Sequence, residues 1–206
     1  VAARAQAKRR RSPSEVQRLA HEAERPRDFF AALSAPPAHG IHVIAEIKRR
    51  SPSRGAIAAD LDPVTHAGRY AAASVRSISV LTEEDHFGGS LDDLIAVKRA
   101  YPNVALLRKD FLVDEEDVRV SFCAGADAVL LIASVLDGDE LARMHSLATS
   151  LGMAVLVELH DPEDFRKART VEPPLIGINA RDLATFAVDL LAPISLHAAV
   201  DWKHRA

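Results

Sequence analysis

The chain has 206 residues, 48% of them hydrophobic and 27% charged, with a formal net charge of -3. That is enough chain for one sizeable core in a single domain, and it gives no electrostatic reason to expect nucleic acid as a partner. No apolar stretch approaches the roughly 20 residues a bilayer span needs, and the basic opening "VAARAQAKRRRS" has no apolar segment behind it, so neither a membrane span nor a secretory signal is read.

Residues 1–40 read as a helical extension. "SPSEVQRLAHEA" has the pattern of an amphipathic helix opened by Ser-Pro, "PRDFFAAL" that of a second short helix, and "SAPPAHG" that of a linker. The run Lys8–Arg11 reads as a solvated helix face. From Ile41 onward, short β-rich runs alternate with longer helical patterns. The runs are Ile41–Lys48, Arg76–Glu83, Val104–Asp110, Asp127–Ala133, Ala154–His160 and Leu175–Arg181. Between them lie "PVTHAGRYAAAS", "SLDDLIAVKRA", "EEDVRVSFCAG", "GDELARMHSLATSLG" and "DPEDFRKART", several with N-terminal acids or a Ser/Asp cap, and two ending in Gly. This rhythm implies βαβ units and a parallel sheet. The lone cysteine, Cys123, excludes an internal disulfide, fits a reducing cytoplasm and reads as a buried structural thiol.

Strand side chains alternate faces with period two. In the first run Ile41, Val43, Ala45 and Ile47 form an apolar face suited to packing against helices; His42, Ile44, Glu46 and Lys48 form the other. Lys109 follows Ala105 and Leu107, Glu158 follows Ala154 and Leu156, and Asn179 and Arg181 follow Gly177. Four runs thus end in inward polar groups. Singly each has a plain structural reading: Glu46 and Lys48 as an exposed ion pair, Glu158 in a salt bridge, Asn179 as a hydrogen-bonding residue. Together on one inner rim they imply mutual pairing or an anionic ligand, because unpaired buried charge is costly. Polar groups at the C-terminal ends of several strands suit a (β/α) barrel. The absence of a G-x-G-x-x-G turn after the first strand weakens a dinucleotide-binding sheet.

The motifs "VIAEIKRRSPSRG", "ISVLTEEDHFGGS", "LLRKDFLVDEEDV", "GADAVLLIA", "LGMAVLVELHD" and "GINARDLATFAVDL", in this order, resemble indole-3-glycerol phosphate synthase. The stretch Glu-x-Lys-x-x-Ser-Pro with "LRKDF" argues against phosphoribosylanthranilate isomerase and the tryptophan synthase α subunit. The resemblance implies a (β/α)8 TIM barrel and closure of an indole ring on 1-(2-carboxyphenylamino)-1-deoxyribulose 5-phosphate, with loss of carbon dioxide and water. It implies a phosphorylated small-molecule substrate and neither cofactor nor metal. It also implies Lys109 as general acid and Glu158 as base, with Glu46 and Lys48 in the same network. A carboxylate tuned upward and a lysine tuned downward would suit these roles. By the same resemblance Ser51, Asn179 and Arg181 bind substrate, while Phe87, Phe111 and Leu130 wall its aromatic ring. "RRSPSRG" is expected to close over the site, and His86 and His160 to serve loop or packing roles.

The family pattern stops after Leu190. The turns that follow a seventh and an eighth strand, expected to bind phosphate, are not found in "LAPISLHAAVDWKHRA". The expectation is therefore an α/β barrel cut short after its sixth strand: residues 1–40 as extension, 41–190 as barrel units one to six, and 191–206 as a divergent tail. Its open edges would invite self-association. One smaller departure lies in "YAAASVRSISV", where the family usually places Gly before the second strand.

Overall fold

A computed structural model describes Glu15, Arg18 and residues 25–34, 36, 40–181 and 188–199. Six parallel strands form one sheet: β1 (Ile44–Ile47), β4 (Ser77–Leu81), β5 (Ala105–Lys109), β6 (Ala128–Ile132), β7 (Ala154–Leu159) and β8 (Leu175–Ile178), in that spatial order. Between β1 and β4 lies a small antiparallel ribbon, β2 (Arg50–Ser51) with β3 (Gly55–Ala56). Helix α1 (Phe29–Ser34) precedes the sheet, and α2 (Pro63–Ala72), α3 (Leu91–Ala100), α4 (Glu115–Cys123), α5 (Gly138–Ser150) and α6 (Pro162–Ala168) connect successive sheet strands. Helix α7 (Ala192–Ala199) follows β8 and buries Leu196 in the main core. The sheet is the open, curled barrel that the alternation predicts. The tail placed at residues 191–206 is thus helical over the part described. Of the predicted N-terminal helix only Glu15 and Arg18, both helical, are described. Lys8–Arg11 and most of the linker lie outside the described residues.

The helices start where their sequence tells them to. Asp62, Ser90, Asp114, Asp137 and Asp161 each accept a hydrogen bond from a backbone N–H in the first turn, and Asp137 with Glu140 forms a capping box. Two helices end at glycines in the left-handed region, Gly125 after α4 and Gly152 after α5. There the N–H groups of residues 125 and 126, and of 152 and 153, return to the last helical carbonyls. After α2 the same turn is made by Ser74, at φ 63°. The serine leaves the turn's geometry unaltered; its cost is a matter of energy.

Two apolar layers follow from strand alternation. The outer one joins Ala45, Ile47, Ile78, Val80, Leu106, Val129, Leu131, Val155 and Val157 to the helices. The inner one contains Ala105, Leu107, Ala128, Leu130 and Ile132, and Phe29 of α1 is fully buried within it. Alanines at the starts of β5 and β6 leave room for that ring, so α1 plugs the N-terminal end of the barrel. The plug is tied down by Asp127, also fully buried: its Oδ1 accepts the Arg27 N–H at 2.7 Å and pairs with Lys98, and its Oδ2 accepts the Leu106 N–H at 2.8 Å.

The expectation for Ile41 and Val43 is overturned. They are 74% and 55% exposed, because β1 starts only at Ile44, its first residue in register with β4. Among the described residues β1 and β8 are the sheet's two edges. Val188, Leu190, Leu191 and Ile194, beyond β8, are likewise exposed. Cys123 is buried, and burial pushes its thiol up, with Glu116 adding to the shift, as a structural thiol requires.

Candidate active site

Parallel registry brings the inward polar groups to one rim. Leu81 is level with Lys109, Ile132 with Glu158, and Glu158 in turn with Gly177. Across this rim Lys109 Nζ lies 3.8 Å from Glu158 Oε2, while Asn179 Nδ2 donates to Glu158 Oε1 at 3.0 Å. Two of the predicted residues therefore share the carboxylate of a third. Burial pushes the Glu158 carboxyl up, but His160, Lys109 and Asn179 together outweigh it and hold it below its ordinary value. The expected upward tuning is not what the surroundings do: this carboxylate is kept charged.

Glu46 and Lys48 form a second pair, with the Lys48 ammonium donating to the Glu46 carboxylate. Among the described residues no hydrogen bond or ion pair joins that pair to Glu158, so the single network expected for the four groups is two separate pairs. Tyr70 Oη donates to the Glu46 carbonyl at 3.0 Å and fixes the strand from the helical side.

The segment after β1 is held over the rim by two arginines that sequence reasoning did not single out. Arg49 makes a two-pronged contact with Asp93 and also donates to the carbonyls of Leu61 and Gly88, both at 3.1 Å. Arg50 donates through its guanidinium to the carbonyls of Asp85 and His86, and through its backbone N–H to that of Phe87. The loops after β1 and β4 are thereby welded together. Their signal was the guanidinium fork itself, which suits several oxygens at once. Arg181 Nη1 reaches Ser53 Oγ at 3.3 Å, and Ser53 Oγ lies 3.5 Å from Ser51 Oγ. The predicted contributors Ser51 and Arg181 thus meet through Ser53.

Phe87 and Phe111 face each other with centroids 6.3 Å apart. Leu130 sits one layer lower, level with Leu156 and buried in the inner cluster, so it floors the rim while Ile132 stands level with Glu158. His86 has the expected loop role: Glu83 accepts the N–H groups of His86 and Phe87 and lies 2.9 Å from His86 Nδ1. Glu83, Asp85 and His86 bring their polar atoms within 4.8 Å of one another, a grouping their spacing did not suggest. The Glu83 oxygens are already committed to closing that loop.

His160 departs from expectation. Its Nε2 lies 3.3 Å from Glu158 Oε1 and its Nδ1 3.4 Å from Asp164 Oδ2. Burial disfavours the imidazolium, but Asp164 and Glu158 outweigh it and raise the pKa to about 9. Beside these groups, Arg108 is buried against Thr82, Ser121 and Asp110, and Thr82 Oγ1 donates to Asp110 at 2.6 Å, which steadies the end of β5 that carries Lys109. The rim can therefore present a paired ammonium and ionised carboxylate side by side to a small substrate, above an apolar floor and beside two aromatic rings.

Comparison with known proteins identifies the family. A family profile described as "Indole-3-glycerol phosphate synthase" matches residues 2–204. Relatives carrying that description include one from Nocardioides sp., 50% identical over 151 residues that make up 73% of this chain and 58% of the relative. Another, from Mycolicibacterium gilvum, is 46% identical over 86% of this chain and 64% of its own length. A third, from Chlorobium chlorochromatii, is 40% identical over 88% of this chain and 70% of its own length. The chain thus spans about three fifths of the length of the first relatives. Among solved structures, 3-keto-L-gulonate-6-phosphate decarboxylase from Vibrio cholerae superposes with a TM-score of 0.51 over 67% of this chain and 70% of that one. At 18% identity that likeness speaks for the fold alone.

Proposed function

The chain belongs to the indole-3-glycerol phosphate synthase family, and from that membership we propose that its rim closes an indole ring on 1-(2-carboxyphenylamino)-1-deoxyribulose 5-phosphate. The observation that carries the reading is the Lys109–Glu158 pair at 3.8 Å, with Asn179 on the same carboxylate. The ring carbon bearing the carboxylate adds to the ketose carbonyl carbon. The carbonyl electron pair moves to its oxygen, which takes a proton from Lys109. Loss of carbon dioxide returns its bonding pair to the ring. Glu158 then takes a proton from the methylene beside the nitrogen, whose C–H pair forms the new ring double bond, as the hydroxyl leaves as water with a second proton from Lys109, itself reprotonated by solvent. The ionised form is the one that can take the proton, although a carboxylate held below its ordinary value is a weaker base than one tuned upward. Lys48 meets the anionic groups of the substrate, with Glu46 orienting it. Phe87 and Phe111 flank the aromatic ring, Leu130 lies beneath it, and Ser51, Asn179 and Arg181 position the chain of the sugar. The reaction belongs to the cytoplasm and to tryptophan biosynthesis. The test is turnover of that substrate by the full chain, followed by fluorescence of the indole product, with Lys109→Ala as control. Turnover lost in the control supports the reading, and none from the folded parent chain sinks it.

A second reading has its own observation: among the described residues β1 and β8 each leave one edge unpaired, flanked by exposed Ile41, Val43, Leu190 and Leu191. On that reading the chain is inactive alone and works only after association, with itself or another chain, through those edges. Light scattering after size exclusion decides, since a monodisperse monomer with turnover excludes it.

A further inference from the structure

Neither the family comparison nor the reaction scheme uses His160, yet its ring joins the rim to the helix outside the barrel. Asp164, on α6, is buried; its Oδ2 accepts the His160 backbone N–H at 2.9 Å and lies 3.4 Å from the ring Nδ1. Lys167, on the same helix, donates to the carbonyls of Ala133 at 2.8 Å and Leu136 at 3.2 Å, with its ammonium 3.9 Å from Asp164 Oδ1. Ser134 Oγ approaches Nδ1 at 3.4 Å from the loop after β6. On the other side Nε2 is buried and lacks an aligned hydrogen bond, although Glu158 Oε1 is 3.3 Å away. The charges alternate from Lys167 through Asp164 and His160 to Glu158 and Lys109. Asn179 and His160 approach one oxygen of Glu158, and Lys109 faces the other.

We propose that His160 is a positioning residue: gripped by Asp164, its ring pins one oxygen of Glu158 and keeps the other turned, as a carboxylate, toward Lys109. The misaligned Nε2 contact has room to tighten once substrate draws Glu158 forward. The proposal rests on Glu158 being the base in the proposed reaction, so its first test is independent of turnover.

Carbon-13 NMR of the glutamate carboxyls in the full chain, with Glu158→Gln used to assign the signal, follows the titration of Glu158 in the parent and in His160→Gln. The expected result is a midpoint higher by about one pH unit in His160→Gln, a tenfold weaker hold on the ionised form. An unchanged midpoint in a folded variant overturns the proposal. Should His160→Gln fail to fold, nitrogen-15 signals of the His160 ring in Glu158→Gln serve instead. Their midpoint is expected to fall by about a unit, and an unchanged one overturns the proposal. In turnover, His160→Gln is expected to lower kcat about tenfold with KM little changed, and to move the acid limb of the pH profile upward. A raised KM with unchanged kcat overturns it. A parent chain without turnover defeats the catalytic reading of Glu158, while the carboxyl titration still decides whether the bridge exists.

Discussion

Replacing Ser74 by glycine should make the protein more stable. Three helices end in the same turn, in which the two residues after the cap return their N–H groups to the final carbonyls: Ser74 to Ala71 and Val75 to Tyr70, both at 3.0 Å, match the bonds made at Gly125 and Gly152. All three residues sit in the left-handed region, with φ of 63°, 85° and 83°. Only the first carries a side chain. That conformation costs an L-residue about 1–2 kcal/mol, whereas glycine gives the unfolded chain extra freedom worth about 0.4–1 kcal/mol. Ser74 is exposed, so no packing is lost. The net gain for Ser74→Gly is therefore about 1 kcal/mol, or a rise in Tm of about 2–4 °C for a chain of this size. Urea unfolding followed by circular dichroism measures it, with Ser74→Ala as a control expected within about 0.5 kcal/mol of the parent. The converse change separates backbone strain from crowding. At Gly152 an added Cβ meets nothing nearer than Pro26 Cδ at 3.9 Å, but at Gly125 it meets Lys98 Cγ at 3.0 Å. Gly125→Ser should therefore cost more than Gly152→Ser. A Ser74→Gly protein no more stable than Ser74→Ala would refute the reasoning, since it would show that the turn imposes no strain on the serine.

Phe29→Ala removes the ring that fills the lower end of the barrel and should cost about 3–5 kcal/mol in urea unfolding, with the loss falling if the cavity collapses. Asp127→Ala removes the buried carboxylate shared by Lys98 and the backbone N–H groups of Arg27 and Leu106 and should cost about 3–5 kcal/mol, more than the exposed-pair variant Glu163→Ala, which should lie within about 1 kcal/mol of the parent. The pH dependence follows from His160, whose folded pKa of about 9 lies above its ordinary 6.5. Its contribution to stability is complete below the ordinary value and disappears as pH rises through about 9. Glu158 behaves oppositely: its folded pKa is depressed below 4.5, so its contribution is present above that value and lost on acidification through the folded one. Thermal melts should accordingly lose more Tm between pH 7 and pH 9.5 in the parent than in His160→Gln, and equal losses would count against a charged His160 in the fold.

Much of this protein follows from local rules that act over a few residues. Alternating periodicities located the six strands and the five connecting helices to within a few residues, because side-chain direction along a strand or helix is set by covalent geometry. The same period put Glu46, Lys109, Glu158 and Asn179 on inner faces at strand ends, and caps such as Asp62 and Asp161 marked where helices begin. Other facts needed strand register and the curl of the sheet, which sum many weak contacts between distant residues. Nothing local says that Lys109 pairs with Glu158 while Glu46 keeps Lys48, since that choice depends on which strand ends come within a few ångströms across the rim. Phe29 has the look of any apolar helix residue until the alanines of β5 and β6 face it. His160 reads as a loop histidine until α6 brings Asp164 beneath it, and Ile41 and Val43 read as buried until the ladder is seen to begin at Ile44. Local sequence determined which side chains point inward; only the packed sheet decided which of them meet.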